Sequence, residues 1–193
     1  MAKAERKYTA EVFKQKLPRR HSRGYIAIPE LRVGCGYAGG AERSIDLWVI
    51  EPNATKGCTA TSYEIKISRS DFLKDVQQPL KQRGARLFSD QFYFVTPPRL
   101  LKPEEIPDWA GLLEPQEDHF WGSWPTFKTI VPAPIRSKDA PSWPLVVSLL
   151  RREPIIVPSE IVIDPQISIN VTGALPELPP LLPKLGGDRD GVA

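Results

Sequence analysis

Cysteine, histidine and methionine are scarce: the 193 residues hold two Cys, two His and one Met. Two thiols, Cys35 and Cys58, cannot build a disulfide scaffold. Together with His21 and His119 they match no zinc-finger or ribbon spacing, so they read as reduced thiols and surface imidazoles. Long apolar runs are also missing. Stretches such as 145–147 are too short for a membrane helix. Residues 1–20 are charged throughout and lack the apolar centre of a secretion signal. A cytoplasmic location is the expectation. The glycines at 34, 36, 39 and 40 lack the Lys-Ser/Thr ending and following helix of a phosphate loop, which leaves them as a hairpin link.

Proline, by contrast, is abundant. Its 21 copies are roughly twice the usual share and argue against a bundle of long helices. The net charge of +3 is unevenly placed: residues 153–193 carry −4, which leaves +7 on 1–152. A basic body suits a polyanionic partner. Lys14, Arg19, Arg20 and Arg23 are the candidate phosphate contacts, and nucleic acid is the kind of partner this charge suits. Trp109, Trp121, Trp124 and Trp143 read as core fillers rather than as a platform for stacking bases.

Thr9 caps a helix over 10–17, which Pro18 stops. Three strand-like runs follow, at 25–33, 44–50 and 59–68, with turn-like links at 34–40 and 52–57. They predict an antiparallel meander. Ser68, with Asp71 three residues on, opens a second helix from 70. Phe72, Leu73 and Val76 are its inward residues. Pro79 breaks or kinks it, and 80–88 continues it. Gln91 to Val95 is an aromatic strand. Leu112-Leu113 and 127–131 suggest two more strands, and 144–152 a closing helix. The order α-β-β-β-α-β predicts an α/β domain over 1–152, with a mixed central sheet flanked by helices. Residues 153–193 read as a Pro-rich, extended and partly disordered arm. Its apolar runs at 155–157 and 161–163 are expected to pair as strands, on this chain or on a second copy. The latter would make a homodimer through the arm.

The chemistry lies in 44–50 and 63–68. Side chains alternate along a strand, so Glu64 and Lys66 share one face of the third strand. Asp46 interrupts an apolar run in the second. If the strands pair, the three converge. Two carboxylates and an ammonium amid apolar strands are costly to bury unless they bind something. Carboxylate oxygens suit Mg²⁺, with Mn²⁺ as the alternative. A metal held by Asp46 and Glu64, with the backbone carbonyl of Ile65 within reach, points to phosphodiester hydrolysis. Lys66 would then orient the water and offset charge on the phosphate.

Asp46, then Glu64-Ile65-Lys66 on the next strand, then a helix and a strand, resembles the PD-(D/E)XK nuclease superfamily with its restriction-endonuclease-like fold. Glu64 through Phe72, Asp75 one turn on and Phe92-Tyr93-Phe94-Val95 look like its small bacterial and phage-borne DNA-repair-type branch. The resemblance covers about residues 8–97. Ile45 stands where the Pro of the motif's name would be. The resemblance implies a metal-dependent DNA nuclease acting in repair, recombination or phage DNA processing. It implies a supporting acid on the first helix, which Glu11 matches, with Glu30 as rival. It also implies an accessory Gln or basic residue on the helix after the third strand: Gln77, Gln78 or Lys81. The alternative is a non-catalytic DNA-binding or assembly module that keeps the fold.

Overall fold

The computed structural model describes residues 8–21, 24–33, 44–78, 81–121 and 125–156. Helix α1 (Ala10–Lys16) starts where the Thr9 side chain accepts the Val12 N–H, and it buries Phe13. Pro18 does not end the helical path. It sits early in a 3₁₀ turn, Leu17–Arg20, where its missing N–H costs nothing.

Strands β1 (Ile26–Arg32), β2 (Ser44–Ile50) and β3 (Ala60–Ile65) form the antiparallel meander. The 34–40 link lies outside the described residues. The 52–57 link holds a 3₁₀ turn over Ala54–Lys56 that closes on Gly57 at φ 72°. Strand β3 is shorter than the expected 59–68. Its place is taken after Ile65 by the start of α2 (Arg69–Val76), where Ser68 caps the Asp71 N–H. Pro79 and Leu80 lie outside the described residues; α2 has already ended at Val76, and a separate short helix, α3 (Arg83–Leu87), forms within 81–88. Strand β4 (Gln91–Val95) then runs parallel to β3, and β5 (Gly111–Pro115) parallel to β4. Helix α4 (Glu117–Phe120), the antiparallel edge strand β6 (Phe127–Val131) and helix α5 (Trp143–Leu150) follow.

Two residues, β7 (Ile155–Ile156), return to pair antiparallel with β1. The first apolar run of the arm thus joins this chain's own sheet. The second, at 161–163, lies outside the described residues. The chain divides into units Met1–Glu160 and Ile161–Ala193, so the body reaches past the 152/153 composition shift. The sheet is mixed, with strand order β6-β5-β4-β3-β2-β1-β7.

Both faces of this sheet are covered, as period-two alternation in apolar strands requires. On one, Trp48, Phe92 and Phe94 meet Phe72 of α2 and Ala85 of α3. On the other, Leu47, Tyr63 and Leu113 meet Phe13 of α1, Leu17 and Phe120. Gly111 is required where it stands: a Cβ there would lie 2.6 Å from the Ala133 nitrogen and run into the Tyr93 ring. Two expectations need correction. Trp109 and Trp121 pack against Phe92 and Phe120, but Trp143 is 80% exposed. His21 is no surface imidazole; its Nε2 lies 2.8 Å from the Tyr63 hydroxyl beneath the α1 face. Trp124 and Cys35 lie outside the described residues, and Cys58 is a free thiol. No helix among the described residues is long and apolar enough to cross a membrane.

Candidate functional site

The β2–β3 register sets Leu47 opposite Tyr63, both on the α1 face. One residue further along, Asp46 and Glu64 come opposite each other on the other face, the side covered by α2 and α3. That pair lies just beyond the end of the ladder. There Asp46 Oδ2 accepts the Ile65 N–H at 2.8 Å, taking the place of a strand carbonyl. Glu64 Oε1 accepts Lys66 Nζ at 3.0 Å. The Lys66 N–H is anchored on β4 by the Val95 carbonyl, 2.9 Å away. The three residues read from the sequence are therefore brought together. They are also withdrawn from water, with the side chains of Glu64 and Lys66 14% and 4% exposed.

Helix α2 adds two acids. Asp71 and Asp75 stand at i and i+4, on one helix face. Asp71 Oδ2 lies 3.4 Å from Lys66 Nζ. Asp75, 3% exposed, ion-pairs with Lys66 through one oxygen and Lys81 through the other. A pocket of about 430 Å³ opens beside these groups. Ser44, Asp46, Glu64, Gln78, Lys81 and Gln82 supply its polar lining, and Val33, Ile45 and Ala85 its apolar wall. Gln82 is buried, and neither end of its carboxamide has a hydrogen-bond partner.

The electrostatics follow from this crowding. Burial, then the charge of Asp46, pushes the Glu64 carboxyl up to about 7. Burial also raises Asp46, against the pull of the Ile65 N–H and the Lys14 ammonium. Burial works against a charged Lys66, but Glu64 and Asp75 outweigh it and hold the ammonium above the ordinary lysine value. Burial likewise opposes charge on Asp75, yet its bonds to Lys66 and Lys81 keep its pKa below the usual carboxylate range. Asp46 and Glu64 thus repel until a proton or a cation comes between them. Among the described residues no group of three or more His, Cys, Asp or Glu is arranged to hold a metal. Two carboxylates suffice for Mg²⁺, which keeps several waters and is commonly held by one or two acids. The donor set fits a hydrated hard cation.

The other candidates separate. Glu11 is exposed and accepts from Gln15 at 3.1 Å. Glu30, at φ 50°, pairs with Lys14 at 2.6 Å, and both of these charges act on Asp46. Of the two acids offered as support, Glu30 is the one whose charge raises Asp46. Gln77 is an exposed helix cap, whereas Gln78 and Lys81 line the pocket. Arg20 is turned to the α1 face, with Nη1 3.3 Å from the Tyr63 hydroxyl and the guanidinium over the Tyr93 ring. Arg19 is exposed, and Arg23 lies outside the described residues. Sequence reasoning gave no site role to Asp71, Asp75 or Gln82. The i, i+4 acids just after the capping Ser68 were the available signal for the first two. Gln82 carried none.

No protein-family model matches the chain, and no curated protein matches it. A solved structure of a protein of unknown function from Silicibacter pomeroyi is similar to it. The two are 21% identical, the match covers 71% of this chain and 81% of that one, and the TM-score is 0.45.

Proposed function

We propose that the chain is a metal-dependent nuclease of the PD-(D/E)XK type, hydrolysing phosphodiester bonds in DNA. One observation carries the reading: Asp46 and Glu64 meet on adjacent strands beside a buried Lys66, at the wall of an open pocket. Such a grouping is expensive for a fold and suited to a cation and an anionic substrate. The element order α1, β1–β3, α2, α3, β4 is compatible with a restriction-endonuclease-like core.

Asp46 and Glu64 would hold Mg²⁺ or Mn²⁺, with the Ile65 carbonyl as a further donor. When bound, the ion supplies Lewis acidity to the scissile phosphate and a more acidic water. The chain's own residues do the rest. The Ile65 N–H fixes the rotamer of Asp46. Lys66 places a fixed positive charge beside Glu64, where it orients the attacking water and offsets charge developing on the phosphate oxygens. Gln78 and Lys81 offer donors to the strand along the pocket. Lys14, whose ammonium acts on Asp46 and is shared with Glu30, and the exposed Arg19 are the further candidates for contact with a DNA backbone. A role in DNA repair, recombination or phage DNA processing belongs to the same reading.

The test is cleavage of single-stranded, duplex, branched and damaged DNA, and of RNA, with Mg²⁺ or Mn²⁺ and with chelator, run beside Lys66→Ala. Metal-dependent cleavage lost in Lys66→Ala is the expected result. Binding of DNA with no cleavage of any substrate would replace this reading with that of a non-catalytic DNA-binding or assembly module.

A further inference from the structure

We propose that Asp75 is a positioning residue of this site, a buried anion that fixes the ammonium groups of Lys66 and Lys81 beside Asp46 and Glu64. The inference rests on the nuclease reading above. Asp75 stands in the last turn of α2 with its side chain 3% exposed, and its two carboxylate oxygens go to two different lysines. Both lysines belong to the site: Lys66 bonds Glu64, and Lys81 lines the pocket. A buried carboxylate carries a desolvation cost of several kcal/mol, so its placement between these two ammoniums is a constraint on where they stand.

Lysine needs such an anchor. Its charge sits on a flexible four-carbon stem, without the planar fork that pre-organises arginine. Lys66 has three acidic partners, and they are not equivalent. Glu64 is itself a candidate metal ligand, so a bound cation competes with Lys66 for it. Asp71 is 55% exposed and 3.4 Å away. Asp75 is the partner that is buried, close and outside the metal-binding pair. It keeps the Lys66 ammonium in place when Glu64 turns to the cation. Through its second oxygen it ties the half-exposed Lys81 to the same point. The result is two cations on one anchor, suited to successive phosphates of one strand: Lys66 at the reacting phosphate and Lys81 at its neighbour.

Asp75→Asn keeps the shape and removes the charge. With full-length protein, kcat should fall roughly 10–100-fold, as for other residues that orient a catalytic group. Calorimetric Mn²⁺ binding should change little, because Asp46 and Glu64 are intact, while KM should rise as Lys81 loses its anchor. Asp75→Glu, which restores a carboxylate, should recover much of the lost kcat, a rescue that a packing role would not give. Lys81→Met should raise KM and leave kcat nearly unchanged. A readout independent of cleavage is acetylation by an amine reagent, followed by mass spectrometry. Lys66 should be protected in wild type and in Asp75→Glu, and labelled in Asp75→Asn. If Asp75→Asn does not fold, Asp75→Glu and Lys81→Met carry the test, and wild-type kcat and KM in Lys81→Met would overturn the two-cation arrangement. A folded Asp75→Asn with wild-type kcat and a protected Lys66 would overturn the positioning role while leaving the nuclease reading standing. A wild type that cleaves nothing refutes the nuclease reading instead, and labelling still decides whether Asp75 holds Lys66.

Discussion

Glu64→Gln should make the metal-free protein more stable while abolishing the proposed cleavage. The folded chain holds Glu64 close to Asp46 and away from water, which pushes its carboxyl from 4.5 up to about 7. That displacement corresponds to roughly 3 kcal/mol of unfavourable interaction with the charged form, the favourable pull of Lys66 already included. The sign follows from proton counting. Between pH 4.5 and 7 the folded chain holds a proton at Glu64 that the unfolded chain has released. Stability from this group is therefore highest in acid, falls as pH rises through that window, and stays low above it. Glutamine keeps the shape, carries no charge, and leaves Lys66 its contacts with Asp75 and Asp71. In chelator at pH 8 the variant should gain up to roughly 3 kcal/mol, or about 6–12 °C in Tm for a body of this size. At pH 5 most of the difference should vanish. Excess Mg²⁺ should raise the wild-type Tm by mass action and move the variant little. Thermal melts of both proteins, at two pH values with and without Mg²⁺, decide it. A variant less stable than wild type in chelator at pH 8, or an equal response of both to Mg²⁺, would refute the idea that these two carboxylates are held together for a cation.

The remaining expectations are simpler. On the proposed nuclease reading, Asp46→Asn should lose cleavage and weaken Mn²⁺ binding in calorimetry, whereas Lys66→Ala should lose cleavage and still bind Mn²⁺, because Lys66 would act on the water and phosphate rather than on the ion. Gly111→Ala should destabilise by about 1–3 kcal/mol, since the new methyl meets the Ala133 backbone and the Tyr93 ring; an unchanged urea midpoint would mean that β5 shifts freely. Burial, then the Arg20 charge, holds His21 at about 4, below its ordinary 6.5. Its contribution is complete above pH 6.5 and is lost as pH falls towards 4, at no more than about 1.4 kcal/mol per unit. His21→Asn should remove that acid sensitivity, as urea unfolding at pH 7.5 and 5 would show.

Much of the fold was legible because its strands alternate and its helix starts are capped. Strands 44–50, 91–95 and 127–131 coincide with β2, β4 and β6, where apolar and aromatic residues run between clear turn signals. Ser68 acts as the cap that its spacing to Asp71 suggests. Boundaries failed where one local rule overrode another. Ile67 and Ser68 look like strand in composition, but the Ser68 cap commits the chain to α2. Pro18 looks like a stop, but a 3₁₀ turn accepts it. The fate of Ile155 and Ile156 was legible only as a need for cover; that the cover is the free edge of β1 depends on tertiary placement.

The site was legible to the extent that it lies on strands. Period two fixes which residues share a face, so Asp46, Glu64 and Lys66 follow once β2 and β3 pair. Residues on helices depend on a rotation and a docking position that no short motif encodes. Glu11 and Glu30 illustrate the difference. Both were reasonable supporting acids by sequence, yet Glu11 turns to Gln15, while Glu30, at positive φ, drops out of a β1–β2 pairing that keeps its register on either side, and its carboxylate meets Lys14. Asp75 shows the converse. Its spacing from Asp71 places both on one helix face, but the packing of Phe72 against Phe94, with Leu73 and Val76 on the same core, sets that face against Lys66. A lone acid on a helix becomes part of the site because an apolar neighbour three residues earlier sets the depth of the helix. The same contact makes Asp75 difficult to replace: without its carboxylate, Lys66 would be left to Glu64 and the exposed Asp71, and Lys81 would lose this anchor.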